Sequence, residues 1–256
     1  MVHVSVIGCG HMGGALVRGL SAANHRVTAC DVDESALEDL SGVADGTTTD
    51  LEAAASAPIV VLAVGPDIAG EVLAGLGLDP DQTVVSVAAG VSTSVLESTT
   101  DAAVVRMMPN LAAEYGEMAA AVTPEPTGDV AAVLADLGTV VTIEEDQMDL
   151  ATAINGSGPA FVFYLIGAMQ QAGIEGGLDS DDAAALAAQT FKGAAEIALQ
   201  SDESVDELID AVATEGGTTI EGMEVLWDSD VEDVLGEAVT AAEERSAEIT
   251  AEVGEE

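Results

Sequence analysis

Basic residues are nearly absent from this chain. Lys and Arg number 5 against 47 Asp and Glu, a formal net charge of −42 over 256 residues. The five are Arg18, Arg26, Arg106, Lys192 and Arg245. That balance excludes a phosphate-backbone partner such as nucleic acid, and it repels anionic membrane surfaces. Aromatic residues make up 2% of the chain, and with its many alanines this fits close packing of helices. Two cysteines, Cys9 and Cys30, are too few for a disulfide framework or a thiolate metal cluster, and no other metal-ligand spacing is present. No contiguous apolar run reaches the eighteen or so residues of a membrane span. Met1 leads straight into a strand pattern with no basic leader segment. These absences predict a soluble, cytoplasmic protein without a bound metal.

What is present is a core-forming composition. Hydrophobic residues reach 48% and mean hydropathy is +0.35, which separates this chain from acidic disordered ones. One or two domains are expected at this length. A charge of −42 strains a compact state by self-repulsion. At molar salt the Debye length falls to about 3 Å and most of that repulsion disappears. The composition therefore predicts a halophilic protein from a salt-accumulating cytoplasm.

The most informative stretch is the first twenty residues. Val2, Val4, Val6 and Ile7 form a strand pattern, and Gly14 to Leu20 a helical one. Between them stands Gly8-Cys9-Gly10-His11-Met12-Gly13, a Gly-x-Gly-x-x-Gly turn in the context that gives the pattern meaning. Gly8 permits the tight turn, Gly10 lets backbone approach a pyrophosphate, and Gly13 lets helix pack on strand. The free N–H groups of the helix start face the phosphates. Dinucleotide binding is the expectation.

Further strands are predicted at Arg26–Cys30, Thr47–Thr49, Ile59–Val64, Thr83–Val87, Val104–Met108, Met118–Val122 and Thr139–Ile143. Helices at Ser35–Leu40, Ile68–Leu76 and Asp129–Leu137 fall among them. This alternation predicts an α/β, doubly wound Rossmann-type sheet over residues 1–145, the dinucleotide-binding domain. From Asp146 onward no strand is predicted. Alanine-rich helices are expected at Gln147–Ile154, Pro159–Ala172, Ser180–Gln200, Val205–Val212, Thr218–Trp227 and Val231–Val253. Residues 146–256 thus read as an all-helical domain that binds substrate and dimerises.

Asp31 follows Gly13 by 18 residues, at the end of the second strand. A carboxylate there accepts the adenosine ribose hydroxyls and repels a 2′-phosphate. No Lys or Arg occurs between Val32 and Val105 to hold such a phosphate. NADH is therefore favoured over NADPH. The later strand ends, Ala63-Val64-Gly65-Pro66, Ala88-Ala89-Gly90 and Met108-Pro109-Asn110, are small or turn-forming and complete the predicted cofactor crevice. Arg106, inside an apolar strand, is either a structural ion pair or a ligand contact. In the helical half, Thr214-Glu215-Gly216-Gly217-Thr218-Thr219-Ile220 offers backbone N–H groups and hydroxyls at a helix start, suited to a substrate carboxylate. The three histidines, His3, His11 and His25, form no nucleophile–base set. A reductase with no evident general acid suits a substrate that is already protonated, such as an iminium.

Together these segments resemble the pyrroline-5-carboxylate reductases. The resemblance rests on the fingerprint, Leu62–Pro66, Ser86–Gly90 and Arg106–Asn110. It continues through Gly156–Ala160, Ala188–Ala195 and Gly216–Ile220. It implies hydride transfer from NADH or NADPH to the C5=N bond of the cyclic imine, giving L-proline. It assigns Thr219 the hydrogen bond to the ring nitrogen, and Thr214, Gly217 and Thr218 the carboxylate. It also implies a homodimer, often assembled into rings, with a site shared with the dimer partner's helices. The chain departs from the family pattern at Gly65 (usually Lys), Glu215 (usually Pro), His11 (usually Asn) and Gly167 (usually Glu). Two other readings compete. One is a related imine or 2-hydroxy acid dehydrogenase using Lys192 as acid; the other is a non-catalytic dinucleotide-binding regulator.

Overall fold

A computed structural model describes residues 1–254. The first strand, β1 (His3–Ile7), leads through the glycine turn into helix α1 (His11–Ala22). The chain then forms β2 (Arg26–Cys30), α2 (Glu34–Glu38), β3 (Gly46–Thr48) and α3 (Leu51–Ala54). Next come β4 (Ile59–Leu62), α4 (Pro66–Leu76), β5 (Thr83–Ser86), α5 (Thr93–Glu97) and β6 (Ala103–Met108). β7 (Met118–Thr123), α6 (Gly128–Ala135) and β8 (Gly138–Thr142) complete the sheet. Its order is β3-β2-β1-β4-β5-β6-β7-β8. The first six strands run parallel; β7 is antiparallel to β6, and β8 is parallel to β7. Strand order reverses between β1 and β4, which opens a crevice at their carboxyl ends.

The central strands are covered on both sides, which is why Ile59–Leu62 can be apolar and fully buried without alternation. One core layer gathers Leu16, Leu20, Val61, Val85, Met107 and Leu134, and the other gathers Val60, Leu62, Leu73, Val84 and Leu96. Register places Ile7, Cys30, Leu62, Ser86 and Arg106 in one row across five strands. The residues that follow Ile7, Cys30 and Leu62 in this row, Gly8, Asp31 and Ala63, line the crevice.

Periodicity predicts the long elements and passes over several short ones. Helices α3 and α5, and the 3₁₀ turn at Leu111–Tyr115, span four or five residues, too few for a repeat. Each is started by a side chain: Asp50, Ser92 and Asn110 accept the N–H groups of Glu52, Val95 and Ala112.

After β8 the chain is helical. The elements are α7 (Met148–Ala151), a π turn (Thr152–Gly156), α8 (Gly158–Glu175), α9 (Ser180–Gln200), α10 (Val205–Val212), α11 (Thr218–Trp227) and α12 (Val231–Gly254). No strand occurs here among the described residues. Two compact units emerge. One is residues 1–157 joined by the chain from Thr240; the other is Gly158–Val239. In the first unit, Asp149 Oδ1 accepts the hydroxyls of Ser246 and Thr250 at 2.7 and 3.0 Å, fastening the end of α12.

The continuous helical stretch Glu145–Glu175 is long and apolar enough to cross a membrane by length and composition, contrary to the expectation from contiguous runs. Asn155, Gly156, Ser157 and Gly158 interrupt the run but carry no charge, so the average over the stretch stays apolar. Its side chains lie largely exposed on the single chain, Phe163 and Tyr164 at 69% and 79%.

Candidate functional site

The glycine turn is built by two close approaches and one deliberate gap. Gly8 has φ +91°, and a β-carbon there would strike the carbonyl of Ala63. A β-carbon on Gly13 would strike the carbonyl of Gly8. At Gly10 a β-carbon would meet nothing within 4 Å. Two glycines thus close the strand–turn–helix joint, and the third faces open space where a ligand can approach the backbone. Gly10 starts α1 without a side-chain cap, and the first turn of α1 contains no acid. In this chain that matters, because α2, α3, α4, α6, α9, α10 and α12 all place acids in their first turns. Helices α5 and α8 share this lack, and at α1 it leaves the N–H groups beside the glycine turn open to an anion.

A cleft of about 310 Å³ lies beside this turn. It brings together Gly8, Gly10, Asp31, Ala63, Val64 and Gly65 from the predicted set. Asp31 is fixed from two sides: Oδ2 accepts the Cys9 N–H at 2.6 Å and Oδ1 accepts the Asp33 N–H at 2.9 Å. Asp33 in turn accepts the N–H and hydroxyl of Ser35, which hold its carboxyl below the usual range. The loop after β2 therefore presents fixed negative charge. Apolar Leu51, Ile68 and Val72 also line the cleft. Sequence reasoning missed these three, since nothing in an isolated Leu, Ile or Val marks it as cleft wall. Slot, free helix start and fixed carboxylate fit a dinucleotide.

The other predicted residues take several positions. Met12 packs against the core and Gly13 is buried. His11 and Cys9 line a second cleft with Arg18, Asp39 and Glu114, on the α1–α2 side of the turn. Pro66 opens α4 directly after Gly65. Ala88 is buried just beyond β5. Asn110 commits its side-chain oxygen to the N–H groups of Ala112 and Ala119 at 3.2 and 3.4 Å, so it shapes the rim. Both thiols are buried. Burial, reinforced by the Asp31 charge, pushes Cys9 up to about 12 and Cys30 up to about 11, leaving neither as a thiolate nucleophile at neutral pH.

Arg106 is a structural ion pair: its Nη1 lies 2.6 Å from Glu145 Oε1. Lys192 is exposed on α9.

In the helical unit, Thr214 to Thr219 form a turn closed by the Gly217 N–H on the Thr214 carbonyl at 2.9 Å. Gly216 has φ +70°, which explains one glycine, and a β-carbon on Gly217 would crowd Thr214, which explains the other. Gly217 caps α11 without a side-chain bond, so the N–H groups of Thr218 and Thr219 remain available. Thr219 is half-buried and borders an apolar hollow with Ile197, Leu208, Ile209, Val212 and Met223. Thr214, Glu215 and Thr218 are exposed.

Residues 145–249 match the family model "Pyrroline-5-carboxylate reductase dimerisation", and residues 3–90 match "NADP oxidoreductase coenzyme F420-dependent". The exposed apolar stretch Phe163–Tyr164 lies inside the dimerisation region. A pyrroline-5-carboxylate reductase of Methanosarcina acetivorans is 36% identical, over 96% of this chain and 97% of that one. A pyrroline-5-carboxylate reductase structure from Coxiella burnetii superposes with TM-score 0.86 at 29% identity, covering 97% of this chain and 98% of that one. One from Plasmodium falciparum, with NADP bound, gives 0.81 at 28%, again covering 97% and 98%. With a Rossmann-type sheet, a helical dimerisation region and this identity over nearly its whole length, the chain belongs to the pyrroline-5-carboxylate reductase family.

Proposed function

We propose that this chain reduces 1-pyrroline-5-carboxylate to L-proline, with NADH preferred over NADPH. A bound nicotinamide dinucleotide supplies the hydride. The chain binds the phosphates at Gly8–Gly13 and the adenosine ribose at Asp31, while Ala63–Pro66, Ala88 and Asn110 shape the rim. The Thr219 hydroxyl makes the hydrogen bond at the ring nitrogen, its oxygen accepting the iminium N–H. The N–H groups of Gly217 and Thr218, with Thr214, hold the substrate carboxylate. The observation carrying the functional reading is the fingerprint and the Gly217-Thr218-Thr219 helix start occurring in one chain of this family. The cofactor preference rests on the doubly held Asp31 and the acidic Asp33 beside it, with no Lys or Arg from Val32 to Val105.

The division into a dinucleotide-binding domain at 1–145 and a substrate-binding, dimerising domain at 146–256 belongs to the same proposal. So do a homodimer that closes into a larger ring, a cytoplasmic location, and the absence of nucleic-acid and membrane partners. The charge of −42 supports a halophilic, salt-rich setting in this proposal.

The test is oxidation of NADH by pyrroline-5-carboxylate in concentrated KCl, with Thr219→Ala beside the wild type. Losing one hydrogen bond to a charged substrate nitrogen lowers kcat/KM roughly 10- to 100-fold. Unchanged turnover in the variant removes Thr219 from this role. Absence of turnover in folded wild type would favour the regulator instead. A larger kcat/KM with NADPH overturns the cofactor preference, and full stability in dilute buffer overturns the halophilic reading.

A further inference from the structure

We propose that Glu145, acting through Thr93, is a positioning residue that fixes the loop following β5 for the nicotinamide end of the cofactor. This rests on the reading of the crevice as a nicotinamide dinucleotide site. Glu145 receives three groups at once. Arg106 Nη1 donates to Oε1 at 2.6 Å, the Thr93 hydroxyl donates to Oε2 at 2.7 Å, and the Thr93 N–H reaches Oε1 at 3.4 Å. One carboxylate therefore ties strand β6, the first residue of α5 and the start of the helical stretch after β8.

The guanidinium shows that this is an arrangement of position. Arg106 is only 4% exposed, and its Nε is buried without a partner. Burying an ion pair costs about as much as it returns, and an apolar side chain on β6 would serve stability equally well. The pair, however, has one geometry. In a chain with five basic residues, one is placed under the single carboxylate that reaches Thr93.

The held segment is the rim loop. Residues 88–92 leave the carboxyl end of β5, where ligands of doubly wound sheets sit. Thr93 closes this loop at one end. Near its middle, Gly90 has φ +76°, and a β-carbon there would stand 3.1 Å from the Thr250 α-carbon. Thr250 is itself fastened to Asp149, four residues after Glu145. Two carboxylates of one segment thus clamp the loop: Glu145 from its end, and Asp149 through α12 across Gly90. A loop ordered before binding leaves less entropy to be lost on binding, so these clamps favour cofactor affinity over the chemical step.

The experiment compares wild type, Glu145→Gln, Thr93→Val and Thr93→Ser in KCl. NADH affinity is read by fluorescence titration of the substrate-free protein, and amide exchange of residues 88–98 is read without cofactor. Glu145→Gln and Thr93→Val should each weaken NADH binding about tenfold and speed exchange in this loop. Their kcat at saturating NADH should change less than about threefold, with KM for the imine unmoved. Thr93→Ser keeps the hydroxyl and should restore wild-type affinity. Should Glu145→Gln fail to fold because Arg106 is left unpaired, Thr93→Val still decides, since it leaves that pair intact. Wild-type affinity and exchange in Thr93→Val overturn the positioning role. Failure of wild type itself to bind either NADH or NADPH overturns the underlying dinucleotide reading instead.

Discussion

The two units of this chain are finished to different degrees. The sheet unit buries whole Leu, Val and Met side chains on both faces, and its charged Arg106 is both buried and paired. Between Gly158 and Val239, Ala183 and Ala187 are the only buried hydrophobic residues among those described. Helices α8, α10 and α11 bury none of their residues. Yet these helices carry Phe163, Tyr164, Val205, Val212 and Leu226 on open surface. A cofactor domain needs only its own chain to make a crevice. A dimerisation region keeps its apolar side chains for a second copy, which supplies the core that the single chain lacks.

That contrast can be broken from either side. Charging the helical surface should have the largest effect. Phe163→Glu with Tyr164→Glu should raise the dimer dissociation constant about 30-fold or more, as for buried aromatic anchors generally. Light scattering in KCl checks this, and NADH binding by the sheet unit should survive in the dissociated protein. Gly13→Ala tests the opposite unit. Its β-carbon collides with the Gly8 carbonyl, so NADH affinity should drop at least about tenfold and Tm should fall roughly 3–10 °C, while assembly persists.

A narrower change sharpens the cofactor side. Asp31→Ser removes the carboxylate held by Cys9 and Asp33, and should shift the NADH to NADPH ratio of kcat/KM about tenfold toward NADPH. The smallest effect concerns the buried thiols. Folding raises Cys9 from 9.0 to about 12 and Cys30 to about 11. The unfolded thiols ionise first, so their effect on stability is absent below pH 9 and stability declines as pH rises above it. In Cys9→Ala the Tm should fall less steeply between pH 9 and 11 than in wild type.

Sequence reading reached the long elements because their causes are local. Ser180–Gln200, Val205–Val212 and Thr218–Trp227 agree with the structure to the residue. The fingerprint was legible because three glycines at fixed spacing have few other uses. Leu51, Ile68 and Val72 were not legible, because they become a wall only when strand order brings α3 and α4 to one cleft. Glu145 was hidden for a different reason: it is one of 47 acidic residues, and nothing in the sequence marks which of them lies beside Arg106.

By itself the sequence determined the parallel-sheet start, the helical second half, the dinucleotide turn and the family. Each depends on periodicity, glycine geometry or an ordered set of motifs along the chain. Only the tertiary structure decided that Arg106 is a paired structural charge and that Asp31 is held by two backbone N–H groups. It also showed that β7 runs against its neighbour, and that Glu145 meets Thr93. These facts depend on contacts between residues distant in sequence, which exist only after the chain has closed its core.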